Sequence, residues 1–263
     1  MGPFSAQDFY DRLAEDYHLI YPDWSLSVSR QGGALDALVR EHLDRTEPLD
    51  VLDCSCGIGT QAIGLAERGH RVVASDLSTS AAARAGAEAR RRALPLTTAA
   101  ADMRALPFAG ASFDVVLSAD NSLAHLLTED DVRRAIGGMR RVMRDDGLLV
   151  LTAKDYGDAR LARRRSTVPQ VTDTGDGQVV TFQLWHWHDD DVYGDSVYDF
   201  DHIQLVPDGG GCWRVRVRRA TSRAWSLQEL ARLVRECGFD DVTWHGVDEA
   251  HFFQPVLTAR PVA

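Results

Sequence analysis

Three aspartates near the ends of apolar segments have side chains suited to holding a polar small ligand. Asp53, Asp76 and Asp102 lie at or close to the carboxyl ends of three segments that predict buried β-strands. In an open parallel sheet these ends meet at one edge, so we expect the three carboxylates to converge there. A carboxylate accepts hydrogen bonds from an ammonium group, from both hydroxyls of a ribose or from the amino group of an adenine. Any one of these aspartates could equally cap the helix that follows its strand.

A glycine turn directly follows the strand that carries Asp53. Gly57 and Gly59 lie between that strand and a helix predicted over residues 60–68. Glycines let the backbone approach a ligand closely, and the first N–H groups of a helix attract an anion. Together with Ala62 they also match the dinucleotide pattern G-x-G-x-x-G/A, so an NAD-dependent dehydrogenase is one alternative. Asp53 instead favours a cofactor with an amino-acid ammonium group, because a carboxylate would repel a pyrophosphate.

Alternating apolar and helical segments position these residues. The predicted strands cover residues 49–54, 71–76, 96–100, 113–119 and 148–153. The predicted helices cover residues 60–68, 79–92 and 129–143. Strands with little polar alternation, separated by helices, indicate a parallel sheet covered on both faces. The fold class that we expect is therefore α/β, with a doubly wound, Rossmann-like sheet.

Two further regions are predicted outside this alternation. Helices over residues 9–21 and about 29–43 form an expected N-terminal helical lid, residues 1–45. Three longer alternating strands form an expected antiparallel β insertion that acts as a substrate cap, residues 157–224. Those strands cover residues 179–187, 196–206 and 213–224.

The core is expected to comprise residues 46–156 and 225–263. Its last part is a helix over residues 227–237, with a capping box at Ser226 and Glu229 and a stop at Gly238. Two final strands near residues 242–247 and 252–259 bring the expected sheet to seven strands.

Composition and charge limit the class of binding partner and the cellular compartment that we expect. The formal net charge of −10 disfavours a polyanion, so we expect a small-molecule partner and no nucleic acid. The sequence has neither a long apolar run nor a signal-peptide pattern, which predicts a cytoplasmic protein without a membrane partner. The four cysteines form no C-x-x-C pair, and His186 and His188 alternate with tryptophans on a predicted strand, so we expect no metal. The sequence leaves open whether the chain forms a homo-oligomer.

Two motifs resemble a known family. The run from Asp53 to Gln61, followed by Ser75-Asp76-Leu77-Ser78, resembles the class I S-adenosylmethionine-dependent methyltransferases. The segment Asp120-Asn121-Ser122-Leu123-Ala124-His125-Leu126 is similar to Gly-Asn-Ser-Phe-Ala-His-Leu of glycine N-methyltransferases, from which Asp120 departs. The resemblance implies S-adenosyl-L-methionine as cofactor and S-adenosyl-L-homocysteine as product.

The resemblance also implies a set of cofactor-binding residues. Asp53 would face the ammonium group, Asp76 the ribose, and Asp102 with the Met103 backbone the adenine, while Arg30 would meet the methionine carboxylate. The full predicted set is Tyr17, Trp24, Arg30, Asp53, Gly57, Gly59, Asp76, Leu77, Asp102, Met103, Asp120 and Asn121.

Several aromatic and basic residues are candidates for a part in the reaction. Tyr10, Tyr17 and Tyr21 share one side of the first predicted helix, where hydroxyls can orient an attacking atom and rings can exclude water. Aromatic residues at this spacing also form ordinary core. His125 can accept a proton from an amine or a hydroxyl, or can simply satisfy a backbone group.

The last two candidates follow the fifth predicted strand. Lys154 and Tyr156 match the arginine and tyrosine of a similar segment, His-Arg-Asn-Tyr-Asp, in glycine N-methyltransferases, where the arginine holds the substrate carboxylate. The expected function is thus methyl transfer to an amine or amino-acid-like nitrogen of a small molecule. The alternatives are an O- or C-methyltransferase of a natural-product pathway, the NAD-dependent dehydrogenase and a non-catalytic binder.

Overall fold

The structure, a computed structural model, describes residues 3–175, 177–189, 196–208 and 211–262. Its strands are β1 Asp50–Asp53, β2 Arg71–Asp76, β3 Leu96–Ala100, β4 Phe113–Ser118, β5 Met143–Thr152, β6 Gln170–Thr174, β7 Gly177–Trp187, β8 Val197–Pro207, β9 Trp213–Arg223, β10 Phe239–His245 and β11 Val256–Pro261. Its α-helices are α1 Ala6–Leu13, α2 Trp24–Leu43, α3 Thr60–Ala66, α4 Thr79–Arg91, α5 Glu129–Val142, α6 Gly157–Leu161, α7 Leu227–Glu236 and α8 Val247–Ala250. Short 3-10 helices form at Tyr17–Ile20, Met103–Ala105 and Ser122–His125.

The larger sheet has seven strands in the order β10-β11-β5-β4-β1-β2-β3. Strands β1 to β5 pair with their neighbours in parallel, whereas β11 is antiparallel to both β5 and β10. The predicted seven-stranded, Rossmann-like α/β sheet is therefore confirmed. The strand order reverses between β1 and β4, which opens a crevice at the carboxyl ends of the central strands.

Side chains of the central strands alternate between two hydrophobic cores. Leu52 and Val116 pack against α5 and α7, whereas Val51, Val115 and Leu117 pack against α2 and α3. All five side chains are at most 1% exposed. Because both faces are covered, the sheet is a rigid support for the side chains at its carboxyl edge.

The N-terminal segment is broken where a continuous helix was expected. The predicted helix over residues 9–21 is wrong, since α1 is followed by a turn and by the 3-10 helix Tyr17–Ile20. Asp16, in that turn, accepts hydrogen bonds from Arg216 and Arg218 of β9, each at 2.5 Å. This long-range contact leaves no trace in the local periodicity, which is why the break was not predicted.

Several element boundaries also differ from the prediction. Helix α2 begins at Trp24 rather than near residue 29, because the Asp23 side chain caps it by accepting from Leu26 N. Residue 247, placed in a strand, belongs to α8. The capping box of α7 at Ser226 and Glu229 forms as predicted.

The insertion after β5 is a separate antiparallel sheet in the order β6-β7-β8-β9. The predicted antiparallel insertion is confirmed, but with four strands instead of three. The missed strand, β6, is short and lies at the sheet edge, and its sequence Gln-Val-Thr-Asp-Thr has a single large apolar residue.

None of the helices in the described part of the chain is long and apolar enough to span a membrane.

Candidate active site

The glycine turn after β1 has the backbone that its sequence predicts. Gly57 and Gly59 have φ angles of +53° and +93°, in the left-handed region that favours glycine. A Cβ atom on Gly57 would lie 3.2 Å from Cε1 of Tyr17, and one on Gly59 would lie 2.9 Å from Cδ1 of Ile63. Glycine is thus required for conformation and for space, and the chain passes directly from the turn into α3.

A cavity of about 400 Å³ opens at the carboxyl edge of β1, β2 and β3, and we call it the sheet-edge cavity. Its volume lies within the usual range for small-molecule sites. Seven predicted cofactor-binding residues line it, namely Tyr17, Gly57, Asp76, Leu77, Asp102, Met103 and Asp120.

Asp76 connects the end of β2 to the glycine turn. Its Oδ2 accepts from Gly57 N and its Oδ1 accepts from Ser78 N, both at 2.8 Å. Burial raises the pKa of the Asp76 carboxyl, and the two backbone donors oppose that rise. Each oxygen keeps a lone pair for a further donor, so a ligand with two adjacent hydroxyls can be held there.

Asp102 caps the 3-10 helix that follows β3, which is the capping role that the sequence offered as an alternative to ligand binding. Its carboxylate accepts from the Arg104 backbone N at 2.9 Å and from Arg104 Nη2 at 2.7 Å. Burial alone would raise the pKa of Asp102, but the Arg104 hydrogen bonds outweigh it and hold the pKa below its ordinary value. Asp102 therefore faces the sheet-edge cavity as a charged carboxylate.

Asp53 is fully buried beneath the glycine turn and does not line the sheet-edge cavity, whereas the next two residues, Cys54 and Ser55, do. Its Oδ1 accepts from Ser55 N at 3.2 Å, and its Oδ2 has no hydrogen-bond partner among the described residues. Burial raises the pKa of the carboxyl to about 7. An unpaired buried acceptor thus lies just behind the wall of the cavity.

Four other predicted cofactor contacts, Trp24, Arg30, Gly59 and Asn121, do not line this cavity. Gly59, the second glycine of the turn, faces the side chains of Ile63 and Ala85. Arg30 is exposed on α2, because the adjacent Gln31 occupies the inward face of that helix. Trp24 does not line the cavity itself, but its indole Nε1 donates to Oγ1 of Thr60, a residue that does, at 2.9 Å.

A second cavity, of about 490 Å³, lies between the N-terminal segment and the antiparallel sheet, and we call it the insertion cavity. Asn121 and Lys154 line it, together with residues of α1, β7 and β8. Five residues line both cavities and form what we call the shared wall: Tyr10, Tyr17, Tyr21, Asp120 and His125. Ligands in the two cavities would meet at this wall.

A tyrosine and a histidine of the shared wall are hydrogen bonded to each other. His125 Nδ1 lies 3.3 Å from the carbonyl oxygen of Thr221, which can only accept, and 3.5 Å from the Ser222 hydroxyl. The nearer contact, with the carbonyl, favours a proton on Nδ1. His125 Nε2 therefore accepts from the Tyr10 hydroxyl at 2.9 Å. Burial lowers the pKa of His125 to about 4 and raises that of Tyr10, so both are neutral near pH 7.

Asp120 is the carboxylate of the shared wall. Its Oδ2 accepts from the Tyr21 hydroxyl at 3.1 Å, and burial raises the pKa of the carboxyl. The backbone at Asp120 has a φ of +55°, which explains why the similar glycine N-methyltransferase segment has glycine there and why aspartate is tolerated. Thr152 Oγ1 accepts from Asp120 N at 2.8 Å and holds this conformation.

The remaining candidates lie beside Asp120. Asn121 donates through Nδ2 to the Tyr156 hydroxyl at 2.7 Å, and that hydroxyl lies 2.9 Å from the hydroxyl of Tyr198. Tyr156 is buried and lines neither cavity. Lys154 lines the insertion cavity, and in the described ranges its ammonium has no hydrogen-bond or ion-pair partner; its charge opposes the raised pKa of Asp120.

Comparison with known proteins identifies the family. Residues 51–147 match a family described as a methyltransferase domain. A glycine/sarcosine N-methyltransferase from Parasynechococcus marenigrum (strain WH8102) is 31% identical over 258 residues, which cover 95% of this chain and 80% of that protein. The chain is a class I S-adenosylmethionine-dependent methyltransferase.

Solved structures share the fold of this methyltransferase. The CcbJ methyltransferase from Streptomyces caelestis has a TM-score of 0.75 at 19% identity, with 99% of this chain and 100% of that chain covered. CalS10 from Micromonospora echinaspora, an amino pentose methyltransferase solved with bound S-adenosylmethionine, has a TM-score of 0.73 at 18% identity and covers 94% and 95% of the two chains. S-adenosylmethionine is the methyl donor, so the dehydrogenase alternative is wrong.

Sequence reasoning missed several residues that line the insertion cavity. Tyr198, Phe200 and His202 alternate along β8 and share its buried face, and Ser222 of β9 lies beside them. The alternation was visible in the sequence and predicted one buried face. It could not show that this face borders a cavity, because that depends on where the insertion packs.

Two histidines of the insertion, His186 and His188, each lie beside a carboxylate. His186 lies 3.0 Å from Asp201, and His188 lies 3.2 Å from Asp199. Within the part of the chain that the structure describes, no group of three or more His, Cys, Asp or Glu residues is arranged to hold a metal ion.

Proposed function

We propose that this methyltransferase methylates the nitrogen of an amine on a small molecule. The donor occupies the sheet-edge cavity, the acceptor occupies the insertion cavity, and the methyl group crosses at the shared wall. The observation that carries the proposal is that wall, where the carboxyl of Asp120 and the hydroxyls of three tyrosines border both cavities.

The lining of the sheet-edge cavity fits the donor. We assign Asp76 to the two ribose hydroxyls, and Asp102 with the Met103 backbone to the adenine. The unpaired Oδ2 of Asp53 supports a nearby ammonium group, since a positive charge there would offset the cost of a buried carboxylate. When bound, the sulfonium donor supplies a methyl group activated for in-line displacement, so the protein mainly provides alignment and a dry site.

The electrostatics of the shared wall favour a nitrogen acceptor. The Asp120 carboxylate can accept a hydrogen bond from an amine N–H and so orient the nitrogen lone pair. The rings of Tyr10, Tyr17 and Tyr21 attract the positive charge that a methylated amine carries. Residues 1–45 act in this proposal as a lid and residues 157–224 as the substrate cap, because both contribute to the insertion cavity.

Lys154 supports an acceptor that also carries an anionic group. Its ammonium lines the insertion cavity without a partner among the described residues, and a carboxylate would provide one. The similar proteins are named for acceptors of this kind and for larger ones, glycine or sarcosine in one case and an amino pentose in the other. A cavity of about 490 Å³ is suited to an acceptor larger than glycine.

The test is a panel of acceptors assayed for S-adenosylhomocysteine release. It contains primary and secondary amines with and without a carboxylate, and phenols of matched size. We expect the amines to react and those with a carboxylate to react best. Turnover of phenols alone would overturn the proposal and favour the second candidate, an O-methyltransferase, in which the Tyr10 oxygen takes the proton of the acceptor hydroxyl and the Tyr10 proton passes to His125 Nε2.

Lys154→Met tests the contribution of the ammonium group. We expect kcat/KM for carboxylated amines to fall roughly ten- to a hundredfold, about 1.4–2.7 kcal/mol, while donor affinity is unchanged. Amines without a carboxylate should lose less than carboxylated amines, because for them only the effect of the Lys154 charge on Asp120 is removed. Arg30→Met is the control, because it also removes a cation but lies outside both cavities. An equal loss for both classes of amine would contradict the carboxylate assignment.

A further inference from the structure

A continuous line of hydrogen bonds runs from α2 to the carboxyl of Asp120. Trp24 Nε1 donates to Thr60 Oγ1 at 2.9 Å, Thr60 Oγ1 donates to the Tyr21 hydroxyl at 3.3 Å, and that hydroxyl donates to Asp120 Oδ2 at 3.1 Å. Thr60 is 2% exposed and Tyr21 is 9% exposed, so water competes little for the two central hydroxyls. We call these four residues the Trp24 chain.

Trp24, the first residue of the Trp24 chain, favours one direction for the hydroxyl protons that follow. An indole N–H can only donate, so it occupies one of the two lone pairs of Thr60 Oγ1 and favours a Thr60 proton that points away from Trp24. The single proton of Thr60 is then directed to Tyr21, and the single proton of Tyr21 is left for Asp120. Hydrogen bonds aligned in one direction polarise and strengthen one another in a buried environment.

We propose that Trp24 and Thr60 are positioning residues that hold the Tyr21 proton on Asp120 and so keep this carboxylate ready for the acceptor amine. The inference rests on the proposed function for the role of Asp120 in turnover, but its effect on Asp120 itself is independent of any acceptor. It also replaces the predicted contact of Trp24 with the cofactor, which the structure does not bring to either cavity.

Other charged and titratable groups also face Asp120. Three of them are tyrosines: Tyr10 belongs to α1, Tyr17 begins the 3-10 helix Tyr17–Ile20, and Tyr21 directly follows that helix. The other two are His125, the last residue of the 3-10 helix Ser122–His125, and Lys154, which follows β5. The tyrosines and His125 are neutral near pH 7, so Lys154 is the cation that opposes the effect of burial. The Trp24 chain adds a second, uncharged stabilisation of the carboxylate.

Trp24→Phe removes the donor that orders the Trp24 chain. Both lone pairs of Thr60 Oγ1 are then open to the Tyr21 proton, so Thr60 competes with Asp120 more strongly than in the unmodified protein. We expect the pKa of Asp120 to rise by roughly half a unit to one unit, since a hydrogen bond to a carboxylate favours its charged form. The acid limb of the kcat/KM profile for an amine should shift to higher pH by the same amount.

The double variant Trp24→Phe/Thr60→Val separates ordering from packing. Without an acceptor at residue 60, the Tyr21 proton can bind only Asp120, so the pKa should return toward that of the unmodified protein. If Trp24→Phe acts only by damaging the packing, the pKa of Asp120 should be shifted in the double variant at least as far as in Trp24→Phe. Thr60→Ser, which keeps the hydroxyl, should behave like the unmodified protein.

The Asp120 pKa is measured by following the chemical shift of its carboxyl carbon with pH by nuclear magnetic resonance, and the Asp120→Asn variant identifies that signal. The pH profile of kcat/KM for an amine is measured alongside. Trp244→Phe is the matched control, because Trp244 is also half-buried and its indole also makes one hydrogen bond, to Leu227 O at 2.8 Å. An unchanged Asp120 pKa in Trp24→Phe overturns the inference. A shifted and rescued pKa in a protein that methylates no amine supports the Trp24 chain and overturns the proposed function instead.

Discussion

Asp53 and Asp76 lie at the ends of neighbouring strands, yet their hydrogen bonds leave them in different states. Asp76 receives a backbone N–H on each oxygen and borders the sheet-edge cavity, whereas Asp53 receives one and keeps an unpaired oxygen behind the cavity wall. Asp76 is thus ready for hydroxyl donors in the protein without ligand. The unpaired oxygen of Asp53 is one that a cation bound nearby would stabilise.

Asp76→Ala should lower the affinity for S-adenosylmethionine roughly tenfold or more, about 1.5–3 kcal/mol, because it removes charge-assisted contacts to two hydroxyls. Calorimetric titration of the folded variant measures this. Asp155→Ala is the control, since Asp155 also follows a strand and accepts from the N–H two residues on, but lines neither cavity. Unchanged affinity in Asp76→Ala would show that the ribose assignment is wrong.

Asp53 should make the stability of the ligand-free protein fall as pH rises. Burial raises its pKa to about 7 in the folded state, against about 3.9 in an unfolded chain. Between these values the unfolded state has already released the proton that the folded state retains, so the free energy of unfolding decreases with pH. Below about pH 4 both states are protonated and the contribution is constant.

Asp53→Asn tests this, because an amide cannot ionise. The difference in unfolding free energy between variant and unmodified protein should shift in favour of the variant by roughly 2–4 kcal/mol from pH 4 to pH 7. Urea unfolding at several pH values gives this difference. Parallel pH dependence of the two proteins would mean that Asp53 ionises normally in the folded state.

At the scale of elements, predictions succeeded where a local pattern and its tertiary role coincide. The central strands are apolar because both faces are buried, and Gly57 and Gly59 are needed for backbone angles that only the turn requires. The break at Asp16 and the edge strand β6 depend on partners far along the chain, Arg216 and Arg218 in the first case and β7 in the second. The positions of Trp24 and Arg30 likewise depend on how α2 packs, which its sequence does not encode locally.

Removing residues 1–24 should abolish turnover more severely than it destabilises the fold. The segment supplies three of the five shared-wall residues, but it contributes no side chain to the two cores that cover the large sheet. Rate measurements, circular dichroism and thermal unfolding of the truncated chain compare the two effects. Its matched variant is Tyr10→Phe/Tyr17→Phe/Tyr21→Phe, which keeps the rings and removes the hydroxyls. A truncated enzyme with a normal rate would show that these tyrosines serve only in packing.

At the scale of the whole molecule, the third hydrophobic cluster joins regions that the sequence presents as separate. It contains Phe9 and Tyr17 of the N-terminal segment, Ile58 of the glycine turn, and Tyr198 and Phe200 of the insertion. The N-terminal segment and the insertion therefore share one core beside the sheet-edge cavity. Neither has a buried cluster of its own among the described residues.

This shared core predicts that the N-terminal segment, the sheet and the insertion unfold in one cooperative step. Tryptophan fluorescence reports on Trp24 of α2, on Trp185, Trp187 and Trp213 of the insertion, and on Trp225 and Trp244 of the core. It should give the same midpoint as far-ultraviolet circular dichroism. S-adenosylhomocysteine at a hundred times its Kd should stabilise the folded state by about 2.7 kcal/mol and raise both midpoints together by roughly 5–10 °C. A fluorescence transition below the circular dichroism transition, or a ligand that moves only one of them, would show that the insertion unfolds independently and that its contacts with the lid are weak.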